Sequence, residues 1–502
     1  MPMKRKSRLC WFSAFVLSAT LLQAQDPADI QKLNDRLRLM QENFEKQQRE
    51  LRENFEKLVR EQQAQIDALK RQIAAGSTNA AATIPTNAPA QKPPAQSPEA
   101  APPASAKPAE LSKPWSPANP ITLLGGQRNY LNLSFDGLFA AGTSTADDIE
   151  QLEQGDHDPH QRGFTLQNLE TVFEGKVDPY FRAIANIVMK IDTHGDTGIE
   201  AEEAFLETMS LPWNLQVKAG QFLTEFGRMN ATHPHTWDFV DAPLVLNRFM
   251  GPDGLRNPGA RVSWLTPTPF YSELFFAIQN SQGETAHSFR NDNGDAPFFG
   301  RPVTQGRVKN VDDMLFTARY AASFDLTDAQ TILGGASAAF GPNGTGNGAD
   351  TQIYGVDLFW KWKSPQQHAG FPFVTWQTEA MLRRFQADAF AGDAVIPALP
   401  DETLTDYGLY SQVAYGFRKG WVAAFRGDYV FPDKRGAYEA LAGPDPDRAT
   451  RWRLSPNLTY YPSEFSKIRL QYNYDDRNGA GDDHSVWLQF EFLLGSHAAH
   501  KF

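Results

Sequence analysis

Most of the chain alternates apolar and polar residues with a period of two. In 466–475 one face carries apolar residues and the other polar ones, namely Ile468, Leu470, Tyr472 and Tyr474 against Lys467, Arg469, Gln471, Asn473 and Asp475. The same alternation occurs in 374–383 and 484–494. Successive side chains of a strand point to opposite faces. The pattern therefore predicts strands of about ten residues with lipid on one side and water on the other, as in a transmembrane barrel.

Sixteen such strands can be identified from residue 121 onward. They begin near residues 128, 163, 180, 199, 213, 260, 269, 312, 329, 351, 372, 404, 420, 449, 466 and 484. Short turns alternate with mostly long connections, the latter at 141–160, 223–259, 281–311, 341–350, 387–403, 432–448 and 475–483. An even strand number with this alternation is typical of outer-membrane barrels, whose short turns face the periplasm. A secreted β-sandwich or solenoid is the alternative, although it requires neither feature.

Two segments with other sequence patterns precede the alternating region. Residues 26–75 repeat apolar residues at spacings of three and four, from Ile30, Leu33 and Leu37 to Leu69 and Ile73. This periodicity predicts a short coiled coil, and the alternative is one amphipathic helix packed on the main domain. Residues 76–120 are rich in Pro and Ala, which predicts an extended linker without a core of its own.

The first residues have the pattern of a secretory signal peptide. Four basic residues before Leu9 are followed by an apolar stretch to Leu22 and by the small residue Ala24, and the alternative is a buried first helix. The one cysteine of the chain, Cys10, lies in this segment. The mature chain would therefore have no disulfide, thiol nucleophile or cysteine-ligated metal. The net charge of −11 argues against nucleic acid as a partner.

The predicted organisation has four segments. A signal peptide (1–24) precedes a periplasmic coiled coil (25–75), a Pro/Ala-rich linker (76–120) and an all-β transmembrane antiparallel barrel of about sixteen strands (121–502). Beyond the N-terminus, no apolar stretch is long enough for a membrane helix. Neither a Gly-x-Ser-x-Gly elbow nor a His-Glu-x-x-His helix occurs. The sequence therefore predicts neither an enzyme nor a bound cofactor.

Several stretches of the barrel region resemble the phosphate-selective porin family. They are EGKVDPYF at 174–181, EEAFL at 202–206, LPW at 211–213, KAGQF at 218–222 and FGR at 226–228. Two more, HPHTWDFVD at 233–241 and FEFLLGSH at 490–497, resemble a subfamily labelled zinc-regulated TonB-dependent outer-membrane receptor. The resemblance implies a sixteen-stranded homotrimeric porin in the outer membrane of a Gram-negative bacterium, in contact with lipid and lipopolysaccharide, that passes small solutes or ions.

Charged side chains on the polar face would set the selectivity of such a pore. The alternation places bases and acids there in equal numbers, among them Lys176, Arg182, Lys218, Glu379, Arg383, Arg426, Arg469 and Glu491. A phosphate-selective wall needs a dense run of Arg and Lys, so this mixed wall favours passive diffusion of small hydrophilic solutes. One alternative is substrate-specific uptake of an oxyanion such as phosphate or a metal such as zinc. Another is an envelope tether whose coiled coil contacts peptidoglycan.

The connection 223–259 is predicted to fold into the barrel and form its constriction, since it is too rich in apolar residues for a bare solvent loop. Its charges could face one another across a narrow opening or pair to pin the loop, and they are Arg228, Asp238, Asp241, Arg248, Asp253 and Arg256. His233 and His235 flank Pro234 and could ligate a divalent metal. This metal signal is weak, because a structural site needs about four ligands.

Overall fold

The computed structural model describes residues 121–495 except 126–128, 177, 292–296, 304–305, 446 and 480. The predicted signal peptide, coiled coil and Pro/Ala-rich linker lie outside these residues. Within the described part of the chain, no helix is long and apolar enough to cross a membrane. The architecture is almost entirely β, as the alternation predicts.

The described residues form strands that are labelled β1 to β17 in chain order. Their bounds are β1 (Ile121–Gly125), β2 (Tyr130–Ser144), β3 (Gly163–Lys176), β4 (Phe181–Ile191), β5 (Thr197–Thr208), β6 (Leu215–Leu223), β7 (Arg256–Leu265), β8 (Tyr271–Asn280), β9 (Met314–Thr327), β10 (Gln330–Pro342), β11 (Asp350–His368), β12 (Phe371–Ala387), β13 (Glu402–Arg418), β14 (Trp421–Pro432), β15 (Arg451–Ser463), β16 (Ser466–Arg477) and β17 (Gly481–Leu494). Two short α-helices lie in the described connections, α1 (Leu244–Met250) and α2 (Ala437–Ala442).

Strands β2 to β17 close into a sixteen-stranded antiparallel barrel. Each strand pairs with the next in sequence, and β17 pairs back onto β2 from Ser485↔Ser144 to Leu494↔Phe135. The predicted strand number is thereby confirmed, and each of the sixteen strands begins within four residues of its predicted start. The predicted end of the last alternation at Leu494 is also the observed end of β17.

One short strand has no counterpart in the prediction. β1 pairs with the first residues of β2, from Ile121↔Leu133 to Gly125↔Tyr130, just beyond the point where β17 stops. It therefore prolongs the ladder that β17 forms with β2. Its five residues carry four exposed side chains in a row, so no alternation marks it in the sequence.

The barrel has the polarity of its sequence pattern, with apolar residues outside and polar residues inside. On β15 and β16 the paired residues Leu458 and Leu470 point outward and are 41% and 52% exposed. The inward neighbours Arg469 and Gln471 are 1% and 0% exposed. The inward face of these two strands is thus polar and shielded from solvent.

The connections follow the predicted alternation with one clear error. The long connection predicted at 475–483 is wrong, because β16 continues to Arg477 and β17 begins at Gly481. Asp475 pairs in register with Asp483, and Arg477 pairs with Gly481. The cause is the outward face at this rim: the outward residues Asp476 and Asp482 are as polar as their inward neighbours, so the composition resembles that of a loop.

Candidate functional site

The connection between β6 and β7, residues 224–255, folds into the barrel and is called the lumen loop. Every residue of α1 within it is buried. Its apolar side chains form one cluster with inward residues of the strands, comprising Phe226, Met229, Leu244, Val245, Leu246, Phe249, Met250 and Leu255 with Leu315, Ala339, Ile353, Met381, Tyr410 and Val430, besides Ala286 and Phe289 of the β8–β9 connection. Burial of this apolar surface holds the loop inside the barrel.

Two glycines of the wall make room for the lumen loop. A Cβ at Gly408 of β13 would lie 2.4 Å from Val245 Cγ2, and one at Gly355 of β11 would lie 2.7 Å from Phe226 Cε1. Both distances are far below normal van der Waals contact. The loop therefore packs directly against the backbone of these two glycines. Any larger side chain at either position would push the loop away.

Asp241 is the main ionic anchor of the lumen loop. Its Oδ1 accepts a hydrogen bond from Arg426 Nη2 at 2.7 Å, and its Oδ2 accepts one from Arg453 Nη1 at 2.9 Å. Burial alone would raise the pKa of the Asp241 carboxyl, but the two guanidinium groups lower it. Gln471 and Asn473 donate to the same carboxylate. The loop is thus bound ionically to β14, β15 and β16.

Arg248 forms a second anchor, with a different partner from the one expected. Its Nη2 donates to Glu153 Oε2 at 2.7 Å, and Arg451 Nη1 donates to the same oxygen at 3.0 Å. Glu153 belongs to the β2–β3 connection. This pairing links two connections and the barrel wall in one buried group.

The remaining constriction candidates are dispersed around the loop. Arg256 Nη2 pairs with Asp253 Oδ2 at 3.1 Å and also contacts Glu200. Arg228 lies 4.0 Å over the ring of Phe359. Asp238 is partly buried. The predicted charges therefore do not face one another across a single opening, because most of them contact strand residues or residues of another connection.

The inward charges predicted on the strands fall into two groups. Those under the lumen loop are shielded: Glu379, Arg383, Arg426, Arg469 and Glu491 are at most 3% exposed. Glu379 accepts from Met229 N at 2.8 Å, Arg383 pairs with Asp406, Arg469 donates to Trp237 O, and Glu491 pairs with Lys467.

The other inward charges keep contact with solvent. The side chains of Arg182 and Lys218 are 36% and 12% exposed, and Lys176 is partly buried. Their partners are acids, since Arg182 contacts Glu207 and Lys218 Nζ lies 3.1 Å from Glu225 Oε1. Solvent-accessible charge inside the barrel is thus found along β4 to β6.

Three histidines meet four carboxylates where the lumen loop contacts β2, β3 and β5. We call this group the histidine–carboxylate cluster, and its members are His157, His233, His235, Asp136, Glu170, Glu202 and Glu203. Seven ionisable groups so close together must share protons or cations. His233 and His235 stack with ring centroids 5.8 Å apart.

Each loop histidine faces two carboxylates through its Nδ1 atom. His235 Nδ1 lies 2.8 Å from Asp136 Oδ2 and 3.4 Å from Glu170 Oε2. His233 Nδ1 lies 2.9 Å from Glu202 Oε2 and 3.8 Å from Glu170 Oε1. Glu170 thus directs one oxygen towards each imidazole.

The outer atoms of the cluster are also paired. His233 Nε2 lies 3.0 Å from Glu203 Oε2, and His157 Nε2 lies 3.3 Å from Glu202 Oε1. Burial alone would lower the pKa of His235, but Asp136 and Glu170 raise it to about 10. Burial would also lower the pKa of His233. The carboxylates of Glu202 and Glu170 outweigh this effect and raise that pKa well above its usual value. The neighbouring carboxylates thus stabilise the protonated form of both imidazoles.

The sequence identifies only part of this cluster. Strict alternation places Glu203 inward and Glu202 outward, yet both are buried, at 9% and 5% exposure. The register between β4 and β5 shifts at this point, since Asn186 pairs with Glu203 and Ile187 with Ala201. A β-bulge at Glu202 thus turns two consecutive side chains inward. The local signal is the pair Glu202-Glu203 itself, an acidic doublet in an otherwise alternating strand.

Comparison with known proteins identifies one relative by sequence. No family model matches the chain. Over 405 residues the chain is 30% identical to an uncharacterized protein of Aquifex aeolicus (strain VF5). This match covers 74% of this chain and 79% of that protein. The chain belongs to the family of this Aquifex protein. Membership leaves its activity open, because the relative is itself uncharacterized, and the resemblance to phosphate-selective porins stays an expectation.

Solved structures with similar chains include the following three. The outer membrane channel DcaP of Acinetobacter baumannii is 15% identical, with coverage of 74% of this chain and 100% of that chain and a TM-score of 0.47. The anion-selective porin from Comamonas acidovorans is 8% identical, with coverage of 73% and 100% and a TM-score of 0.46. Salmonella typhi OmpF in complex with daunomycin is 13% identical, with coverage of 72% and 98% and a TM-score of 0.41.

Proposed function

We propose that the protein is an outer-membrane channel for passive diffusion of small hydrophilic solutes or ions. The observation that carries the proposal is a closed sixteen-stranded barrel with apolar residues outside and a loop folded into its polar interior. A barrel of this strand number is wide enough for an aqueous channel. Exposed outward residues such as Leu470 suit contact with lipid.

The accessible charges along β4 to β6 support a path for ions on that side of the lumen. Arg182 and Lys218 alternate with the acids Glu207 and Glu225. A mixed wall attracts neither anions nor cations strongly, so we expect weak selectivity. The lumen loop narrows the path, which predicts a small conductance for a barrel of this size.

The proposal includes location and assembly. We place the barrel in the outer membrane of a Gram-negative bacterium, with the N-terminal segment in the periplasm and with lipid and lipopolysaccharide around the apolar surface. A homotrimer is proposed on the resemblance to phosphate-selective porins. Contact of the predicted coiled coil (25–75) with peptidoglycan is a further proposal, and it would add a tethering role to the channel.

Substrate-specific uptake is the second candidate. It is favoured because the inward charges of β12–β16 are shielded from solvent. The side chains of Arg383, Arg426 and Arg451 are 0% exposed. A lumen sealed on this side would pass solute only through a narrow route. Such a route suits one chemical class, for example an oxyanion such as phosphate or a metal such as zinc.

Single-channel recording of the refolded full-length protein in a planar bilayer tests the proposal. We expect steps that are ohmic in voltage, together with a small reversal potential under a KCl gradient. A current that micromolar phosphate or zinc blocks saturably would favour the second candidate. Protein that inserts but gives no current would contradict both channel functions and leave the tether.

A further inference from the structure

Four groups of carboxylates and histidines in the described residues have geometry that could hold a metal ion. Two of them already contain cationic side chains. Asp156 and Glu200 contact Lys190, and Asp253 pairs with Arg256. The ammonium group of Lys190 and the guanidinium group of Arg256 compensate the acids at these two positions. No added metal ion is needed there.

The other two groups share Glu170 and lack such cations. They are Asp136, Glu170 and His235, and Glu170, Glu202 and His233. Within the described residues, their carboxylates form ion pairs with imidazoles alone. Even with all three imidazoles of the histidine–carboxylate cluster protonated, its four carboxylates would exceed them by one charge.

We propose that the histidine–carboxylate cluster binds a pair of divalent first-row transition-metal ions bridged by the Glu170 carboxylate. One ion is bound by Asp136 Oδ2, Glu170 Oε2 and His235 Nδ1. The other is bound by Glu170 Oε1, Glu202 Oε2 and His233 Nδ1. Imidazole and carboxylate together suit ions of this class, and a water can complete each coordination shell.

The distances agree with this assignment. Ligand atoms about 2.1 Å from a tetrahedral ion lie about 3.4 Å from each other. The nitrogen–oxygen separations in the two groups range from 2.8 Å to 3.8 Å. An ion can therefore be accommodated if these separations change by roughly half an ångström.

The surroundings of the ligands resemble a metal site as well. A ligating histidine usually donates its second N–H to a carboxylate, and ligating carboxylates are themselves hydrogen-bonded. His233 Nε2 lies 3.0 Å from Glu203 Oε2. Asn186 Nδ2 donates to Glu170 Oε1 at 2.7 Å and to Glu202 Oε2 at 3.0 Å. These outer contacts would fix the orientation of an imidazole and of two carboxylates.

The charges of the carboxylates match two divalent ions. Only neutral imidazole is a ligand, so His233 and His235 would bind metal as neutral imidazoles. The four negative charges of Asp136, Glu170, Glu202 and Glu203 then equal the charge of the two ions. His233 and Glu203 keep side-chain exposures of 14% and 11%, which leaves a way in for the ions.

The consequence for the fold is a cross-link. His233 and His235 belong to the lumen loop, whereas the carboxylates belong to β2, β3 and β5. The Asp241 contacts hold the loop to β14–β16, and the metal pair would fasten it to β2, β3 and β5, which follow in the closed strand order after β17. Bound metal would then extend the attachment of the lumen loop to a second, neighbouring part of the wall.

Cobalt(II) titration of refolded, chelator-stripped full-length protein tests the site. We expect two Co²⁺ per chain, with the visible absorption of histidine-bound cobalt in a low coordination number. Glu170→Gln should remove both ions, whereas His235→Ala should remove one and leave the other. His194→Ala is the matched control, because His194 is 83% exposed beside Asp192, and it should bind two.

Circular dichroism of each variant checks that the barrel has formed. If Glu170→Gln does not fold, the histidine variants alone test the site. One ion per chain, or equal binding by wild type and the His233→Ala/His235→Ala double variant, would overturn the bridged pair. Cobalt absorption is independent of channel activity. Metal binding in a protein without conductance would therefore contradict the proposed function and leave the metal site standing.

Discussion

Arg426 holds both the side chain and the backbone of Asp241. Its Nη2 donates to Asp241 Oδ1 at 2.7 Å, and its Nη1 donates to Asp241 O at 2.8 Å. Both side chains are buried, at 0% and 3% exposure. Since Arg426 belongs to β14 and Asp241 to the lumen loop, one arginine of the wall holds the loop through both its backbone and a side chain.

Asp241→Asn should release the lumen loop. The substitution keeps the size of the side chain but removes the charge that Arg426 and Arg453 share, and leaves Asp428 and Asp475 as their ionic partners. Because these partners remain, we expect a cost below the about 3–5 kcal/mol of a buried ion pair that loses one partner completely. We expect the barrel to remain closed and the loop to become sensitive to limited proteolysis. Asp433→Asn, in an exposed connection, is the control. A loop as protected in Asp241→Asn as in wild type would show that the ion pair is not its anchor.

Gly408→Ala should displace the same loop sterically. The new Cβ would lie 2.4 Å from Val245 Cγ2, so α1 must move. We expect a loss of about 1–3 kcal/mol in unfolding free energy, as is usual for overpacking. The control is Gly334→Ala on β10, where the nearest atom to a new Cβ is 3.8 Å away. Equal denaturation midpoints for the two variants would contradict a tight seat for the loop.

The barrel itself could be predicted well from the sequence. A period of two repeated in sixteen segments determines which face of each strand is apolar, and the closed order follows from connections that join neighbours. β1 and the β16–β17 turn were missed for a physical reason. Short rim segments such as 475–477 have no apolar outward residues to show their alternation.

The candidate site was predictable in part. The apolar composition of 223–259 indicates an inward loop, but the partners of its charges come from strands far away in sequence, as with Asp241 and Arg453. Bulges break the alternation where the histidine–carboxylate cluster forms. Gln167 and Asn168 are both buried on β3, as Glu202 and Glu203 are on β5. A bulge depends on how two strands pair. The residue pattern of one strand alone does not encode this pairing.

Glu225→Gln should shift the channel towards anions. Glu225 Oε1 lies 3.1 Å from Lys218 Nζ and 2.6 Å from Arg261 Nη1. Removing its charge leaves two cations beside the accessible part of the lumen, so a KCl gradient should give a reversal potential displaced towards that of chloride. Glu464→Gln, in the exposed β15–β16 turn, should leave selectivity unchanged. An unchanged reversal potential in Glu225→Gln would place the ion path elsewhere.

Leu470→Arg tests the lipid-facing surface. Leu470 lies in the middle of β16 and points outward with 52% exposure. An arginine at mid-depth on the lipid side costs about 2–4 kcal/mol. We expect the variant to fold into lipid vesicles with lower yield and a lower denaturation midpoint than wild type. Glu464→Arg adds the same side chain in the turn and should behave as wild type. Unaltered folding of Leu470→Arg would mean that this face does not contact lipid.

His287 should make the packing of the β8–β9 connection sensitive to acid. Its ring packs edge-on against Phe298, with centroids 5.2 Å apart. Burial, together with the nearby Arg383, lowers the pKa of His287 to about 4, against a weaker opposing effect of Glu153. The unfolded chain therefore binds a proton that the folded chain excludes between about pH 6.5 and pH 4.

The stabilising contribution of neutral His287 is complete above about pH 6.5 and is lost as the pH falls to about 4, by roughly 3 kcal/mol at most. His287→Gln has no such titration. We expect the difference in unfolding free energy between wild type and this variant to change by that amount across the same range, while the carboxylates common to both proteins cancel. His194→Gln, at an exposed histidine, should parallel wild type. A difference between wild type and His287→Gln that is constant with pH would show that His287 is not kept neutral by its surroundings.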